Sequence, residues 1–141
     1  MKKKWKLAFM KCAYTFAECS SAERLKVGCI LVKDNKIISI GYNGTPDGWD
    51  NKCEDEKNTT YPYVLHAESN CLMKLARTSG NAKGSSMFVT HSPCYECSKL
   101  IYQAGIKKLY FSECYRNMDG IDFLEKCEIK IIRLPSKYEL Q

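Results

Sequence analysis

Two short segments constrain this chain more than anything else in it. They are His66-Ala67-Glu68 and Pro93-Cys94-Tyr95-Glu96-Cys97, with the first of these cysteines 28 residues after the histidine. Together they offer one imidazole, two thiols and a carboxylate. Imidazole and thiolate are donors that zinc favours, and zinc sites are almost always tetrahedral. Three protein ligands leave a fourth position, which structural sites fill with protein and hydrolytic sites keep for water. Any fold for this chain must therefore bring the starts of two separate elements to one point. Pro93 fits just before or at the first position of a helix, where its missing N–H costs little. The positive end of that helix favours the thiolate form of Cys94 and Cys97. His66 opens another helix. Residues two apart on a helix point about 200° away from each other, so His66 and Glu68 are expected at the first turn, where the backbone can aim both inward.

The bland alternative is a closed zinc knuckle, with a fourth ligand from Cys19, Cys53, Cys71 or His91. The chain has nine cysteines, an odd and high number. No long apolar run follows the basic start Met1-Lys2-Lys3-Lys4-Trp5-Lys6, so the sequence does not open like a secretory signal. A reducing, cytoplasmic setting with two cysteines on metal is the expectation, in preference to a disulfide framework. Cys12, Cys29, Cys71 and Cys127 fall within apolar patterns and read as small buried hydrophobes. Cys19 and Cys53 stand apart, and a second metal site using them has no paired His or Cys to support it.

Helical and strand periodicities supply the frame. Trp5, Phe9, Cys12, Ala13 and Phe16 recur at helical spacing, up to Ser20-Ser21. Strands are expected over Val27 to Lys33 and Lys36 to Tyr42, joined at Asp34-Asn35 as a hairpin. Turn residues from Gly41 to Gly48 open a loop that runs to about Leu65, long enough to suggest function or disorder. A helix from His66 to Arg77 presents Ala67, Cys71, Leu72, Leu75 and Ala76, and Ser79-Gly80-Asn81 stops it. A strand over Met87 to Thr90 follows. A helix from Cys94 to Ala104 then turns Cys97, Leu100, Ile101 and Ala104 inward and ends at Gly105. A strand (Lys107 to Ser112), a helix (Asp119 to Cys127) and a strand (Glu128 to Leu134) complete the order, with a loose polar tail from Pro135. This order predicts one α/β domain over residues 1–141, a five-stranded mixed sheet with helices on its faces. Its site would lie near the carboxyl ends of strands. At 141 residues the chain is long enough for one real core and too short for two. No apolar stretch approaches membrane-spanning length. The net charge of +6 owes much to Lys2, Lys3, Lys4, Lys6 and Lys11, which read as a solvated helix face. No aromatic–basic pattern suggests a polynucleotide surface.

H-x-E followed by P-C-x-x-C is the known signature of zinc-dependent nucleobase deaminases, in which the glutamate shuttles protons and does not ligate. Nearly the whole chain, to about Leu134, resembles the deoxycytidylate deaminases of the cytidine deaminase superfamily, of bacterial and phage type. The narrower likeness rests on Arg24-Leu25-Lys26-Val27-Gly28, Gly41-Tyr42-Asn43-Gly44-Thr45-Pro46, Cys53-Glu54-Asp55 and Tyr115-Arg116. It implies the three-layer α-β-α cytidine deaminase-like fold and catalytic Zn2+ on His66, Cys94 and Cys97. It implies conversion of dCMP to dUMP and ammonia, with Glu68 as proton carrier. It also implies a homohexamer activated by dCTP, an effector that Mg2+ would accompany, and inhibited by dTTP. By the same likeness Asn43 contacts the sugar or the pyrimidine, and Arg24, Tyr115 and Arg116 contact the 5′-phosphate. Backbone groups near Ala67 and Ser92 hold the amino group and ring. Asn43 also fits a plain turn asparagine, and the two arginines also fit ordinary exposed surface. His91 is expected to pack against the site without ligating. Tyr61-Pro62-Tyr63 either walls the pocket or packs within the loop. Other readings are a deaminase of a free nucleoside, a riboflavin precursor or a tRNA adenosine, a catalytically idle nucleotide sensor, and a structural zinc module.

Overall fold

The computed structural model describes residues 1–137 and 139. Helix α1 spans Lys3–Ala17, and strands β1 (Gly28–Lys33) and β2 (Lys36–Tyr42) follow as a hairpin. Asp34 and Asn35 both adopt positive φ, at 51° and 62°. That is the conformation a two-residue hairpin turn needs, and Asn and Asp tolerate it best. After the long connection come α2 (Ala67–Ala76), β3 (Ser86–His91), α3 (Tyr95–Gln103), β4 (Lys108–Glu113), α4 (Asp119–Lys126) and β5 (Lys130–Arg133).

The strands form one sheet in the order β2-β1-β3-β4-β5. β1 runs antiparallel to β2 and β3, while β3, β4 and β5 are parallel. Alternate residues of each strand feed opposite faces. Ile30, Val32, Phe88 and Tyr110 pack with Phe9, Met10, Ala13 and Tyr14 of α1. Cys29, Leu31, Met87, Val89, Leu109 and Phe111 pack with Cys71, Leu72 and Leu75 of α2, Ile101 of α3, and Ile121 and Leu124 of α4. This is the three-layer α-β-α arrangement and the mixed five-stranded sheet expected from the sequence. Gly41 allows α2 to lie directly on β2, because a side chain there would strike the Ala67 carbonyl and the Cys71 amide. Gly28 does the same for α1, since a Cβ would overlap the Ala13 carbonyl.

Several faces differ from expectation. On α1 the inward arc is Phe9, Met10, Ala13, Tyr14 and Ala17, and Trp5 is 41% exposed. Trp5 sits about 110° round the helix from the middle of that arc. On α3 the arc is Cys97, Ser98 and Ile101, which leaves Leu100 exposed about 100° away. Ala76 is exposed, and Cys12 and Cys127 are only half-buried, while Cys29 and Cys71 are fully buried. β5 is shorter than expected, because Glu128 takes positive φ and Ile129 closes the turn after α4. The tail starts tethered, with Ser112 Oγ donating to the carbonyls of Leu134 and Pro135. Residues 138, 140 and 141 of that tail lie outside the described residues. Among the described residues no helix is long and apolar enough to cross a membrane.

Candidate active site

His66 is the N-cap of α2 and Cys94 the N-cap of α3. Cys94 Sγ accepts the amide N–H of Cys97 at 3.5 Å, so the sulfur itself caps the helix. This is the orientation in which orphan amides and the helix dipole favour thiolate. His66 Nδ1 lies 3.3 Å from Cys97 Sγ and 3.5 Å from Cys94 Sγ. A tetrahedral zinc with ordinary bond lengths places nitrogen and sulfur ligands about 3.5 Å apart. The three donors therefore already stand at the edges of such a tetrahedron, which is why they fit the metal. Among the described residues no other His, Cys, Asp or Glu joins this group. Cys19, Cys53, Cys71 and His91, the conceivable fourth ligands, stand outside it, and among the described residues no second such cluster forms around Cys19 or Cys53.

Glu68 lies in the first turn of α2 and is 4% exposed. Burial pushes its carboxyl up to about 7, against a smaller lowering from its own amide N–H and from His66. The sulfurs are coupled. Hydrogen bonds from the Cys97 thiol and from His66 hold Cys94 down to about 4, and Cys97, which keeps the proton of the pair, is pushed up. Two sulfurs sharing a proton beside an imidazole form a donor set that a divalent cation satisfies better than a proton does.

The donors open onto a cavity of about 510 Å³, within the range of small-molecule sites. His66, Ala67, Glu68, Ser92 and Cys94 line it, together with Arg24, Asn43, Tyr115 and Arg116. Cys97 is buried behind them. The expected site residues thus converge. Asn43 is committed to the backbone, with Oδ1 accepting from Val27 N at 2.9 Å and Nδ2 donating to the Leu25 carbonyl at 2.8 Å. Its φ is not positive, so it is no left-handed turn residue. Ser92 Oγ accepts the amide of Tyr115 at 2.7 Å, tying the zinc-side loop to the arginine-bearing loop.

Other residues of the wall carried no clear signal. Glu113 ends β4 and accepts the Tyr14 hydroxyl at 2.8 Å, with His91 Nε2 3.5 Å away. Burial lowers the pKa of His91 even against that carboxylate, and His91 lines the cavity without joining the metal donors. Glu54 and Thr60 also face the cavity. The signal for Glu54 was the Cys53-Glu54-Asp55 run; Thr60 and Glu113 had none. Tyr61 and Tyr63 stack on each other at 5.0 Å and Tyr63 meets Trp49 at 5.1 Å. Neither tyrosine is among the residues that line the cavity, so they pack within the loop.

The family model for the cytidine and deoxycytidylate deaminase zinc-binding region matches residues 3–113. The chain belongs to this deaminase family. Human deoxycytidylate deaminase is 44% identical over 124 residues, covering 82% of this chain and 68% of that one. The deoxycytidylate deaminase of phage T4 is 30% identical over 171 positions, covering 91% and 89%. The crystal structure of the dCMP deaminase of cyanophage S-TIM5, in complex with dCMP and dUMP, superposes with a TM-score of 0.93 at 47% identity. That match covers 95% of this chain and 99% of the other. The deaminase described here thus shares both fold and zinc-binding region with these hydrolytic enzymes.

Proposed function

We infer that the chain hydrolyses dCMP to dUMP and ammonia, with His66, Cys94 and Cys97 holding Zn2+ and Glu68 carrying protons. The observation that supports this most strongly is a buried carboxylate beside three donors spaced for a tetrahedral ion and open to a nucleotide-sized cavity. The likeness to deaminases named for dCMP supports the choice of substrate. A bound zinc supplies the Lewis acidity that makes water a nucleophile near neutral pH. Glu68 takes a proton from the attacking water and passes it to ring N3, while the oxygen bonds to C4. Glu68 then moves the second proton to the exocyclic nitrogen, the C4–N bond breaks, and ammonia leaves as the C4 carbonyl forms. A carboxyl whose pKa lies near neutrality suits this traffic in both directions. A sensor without catalysis would have no use for a carboxylate buried at this place.

On this reading Arg24, Tyr115 and Arg116 take the 5′-phosphate, for which a guanidinium fork is well shaped. Backbone groups at Ala67 and Ser92 hold the amino group and ring. Asn43 keeps one N–H and one lone pair beyond its two backbone bonds, enough for a sugar or base contact from the cavity wall. Assembly as a homohexamer, activation by dCTP with Mg2+ and inhibition by dTTP belong to the same reading and rest on family membership alone. An ultraviolet absorbance assay tests it, comparing dCMP with deoxycytidine, CMP and adenosine substrates, and repeating dCMP with dCTP plus Mg2+ and then with dTTP. Faster turnover of any other substrate than of dCMP would overturn the assignment.

A further inference from the structure

The long connection between β2 and α2 folds back on itself through two isolated bridges, Gly44 with Leu65 and Glu54 with Thr60. The inner bridge closes a tight turn, in which Asp55 Oδ1 accepts the amides of Lys57 and Thr59 and Asn58 takes positive φ. Both members of that bridge reach for one residue. The Glu54 carboxylate accepts the amide of Glu23 at 3.2 and 3.0 Å and the amide of Arg24 at 3.1 Å. Thr60 Oγ1 accepts from Arg24 Nη1 at 3.2 Å.

The carboxylate is the unusual part. Glu54 is 6% exposed, and among the described residues no cation pairs with it. A buried charge is costly unless hydrogen bonds answer it. Here the answering groups are the amides of the segment that leads into β1. Its charge is thus spent on fixing the Arg24 main chain, while Thr60 fixes the guanidinium. Arg24 is otherwise an exposed, rotamer-rich side chain on a loop, and such a side chain loses affinity when it must be ordered by its ligand.

We propose that Glu54 and Thr60 are positioning residues for Arg24, and through it for the substrate's 5′-phosphate. The proposal rests on the reading of Arg24 as a phosphate contact. One hydrogen bond to Thr60 leaves four of the five guanidinium donors free, so the arginine is aimed without being used up. All three residues line the same cavity.

The test is a mutant cycle read as discrimination, the kcat/KM for dCMP divided by that for deoxycytidine. Thr60→Val and Glu54→Gln are each expected to lower this ratio about fivefold, the scale of one net hydrogen bond, through a higher KM for dCMP. Thr60→Ser, which keeps the acceptor, should restore it. In an Arg24→Ala background neither change should lower the ratio further, because residues acting through one another are not additive. Full additivity in that background, equal effects on the two substrates, or a failure of Ser to rescue would overturn the proposal. Thr60 is exposed on a turn, so its variants keep the test open if Glu54→Gln folds poorly. Arg24→Ala without any loss of discrimination is a separate failure. It would remove the arginine from the phosphate and take the clamp's role with it.

Discussion

The cavity wall has a metal end around His66 and Cys94 and a cationic end around Arg24 and Arg116, named for their chemistry, and the two are built differently. At the metal end, His66 and Cys94 cap helices, Cys97 and Glu68 sit in first turns, and Cys97 and Glu68 are almost wholly buried. Contacts that tolerate no side chain at Gly41 seat α2 against the sheet. At the other end, Arg24, Tyr115 and Arg116 lie between regular elements and are exposed. Proton transfer and metal ligation need side chains fixed to a fraction of an ångström, which helices and strand ends provide. A phosphate is a diffuse anion that long cations can follow. The difference teaches that damage at the metal end should abolish chemistry, while damage at the cationic end should retune substrate choice.

The largest effect should come from Glu68→Gln. The amide keeps the volume but cannot carry a proton, and general acid–base catalysis is worth about 10²–10⁴-fold. We expect a loss of that size in kcat, with zinc content by elemental analysis and the melting temperature near wild type. An active, zinc-replete Glu68→Gln enzyme would break the comparison at its rigid end. Stripping zinc with a chelator should act on stability as well. Because an ion held by His66, Cys94 and Cys97 would join the starts of α2 and α3, its removal should cost about 4 kcal/mol when free zinc had stood at 1,000 times its dissociation constant. Amide exchange should rise in the first turns of both helices and stay unchanged around Arg116. Exchange rising equally at the two ends would show that they are one cooperative unit.

The metal end was legible because its residues announce themselves by spacing. H-x-E and P-C-x-x-C place donors at helix starts, and the elements around them follow from period and turn chemistry, as at Asp34-Asn35. The layering followed as well, since the central strands β1, β3 and β4 carry apolar residues on both faces, whereas the strand order was no part of the expectation. Side-chain direction on short helices was less legible. Leu100 fits an inward face by spacing from Cys97, but Ser98 and Ile101 set the inward arc and turn it out to solvent. The least legible part was the long connection. Its bridges pair residues without periodicity, and a carboxylate answered by distant amides leaves no pattern along the chain. Asn43 shows the same limit. A turn-like sequence gave its type, and only the fold shows that its amide braces Leu25 and Val27.

That brace gives a prediction of intermediate size. Asn43→Ala removes the partner of both the Val27 amide and the Leu25 carbonyl at the entry to β1. Leaving such groups unanswered costs about 1–3 kcal/mol, and their partial burial points to the middle of that range, about 2 kcal/mol. Chemical denaturation should show it as a lower midpoint with an unchanged slope. The same variant should weaken dCMP discrimination, because the segment it loosens carries Arg24. A stable Asn43→Ala protein with impaired catalysis on both dCMP and deoxycytidine would instead mark Asn43 as a contact to the sugar or base.

Smaller than these is the effect expected of Arg116→Ala. Arg116 is exposed on the loop after β4, where water and salt screen its charge. We therefore expect about a tenfold rise in KM for dCMP, at the low end for a hydrogen bond to a charged group. The kcat should stay close to wild type, and KM for deoxycytidine should hardly move. Salt sharpens the reading. If the arginine meets a phosphate in a solvated rim, raising ionic strength should narrow the gap between wild type and variant. A gap that persists at high salt would mean that Arg116 is desolvated on binding, and the cationic end would then be as closed as the metal end. Equal changes for dCMP and deoxycytidine would take Arg116 out of the phosphate site altogether.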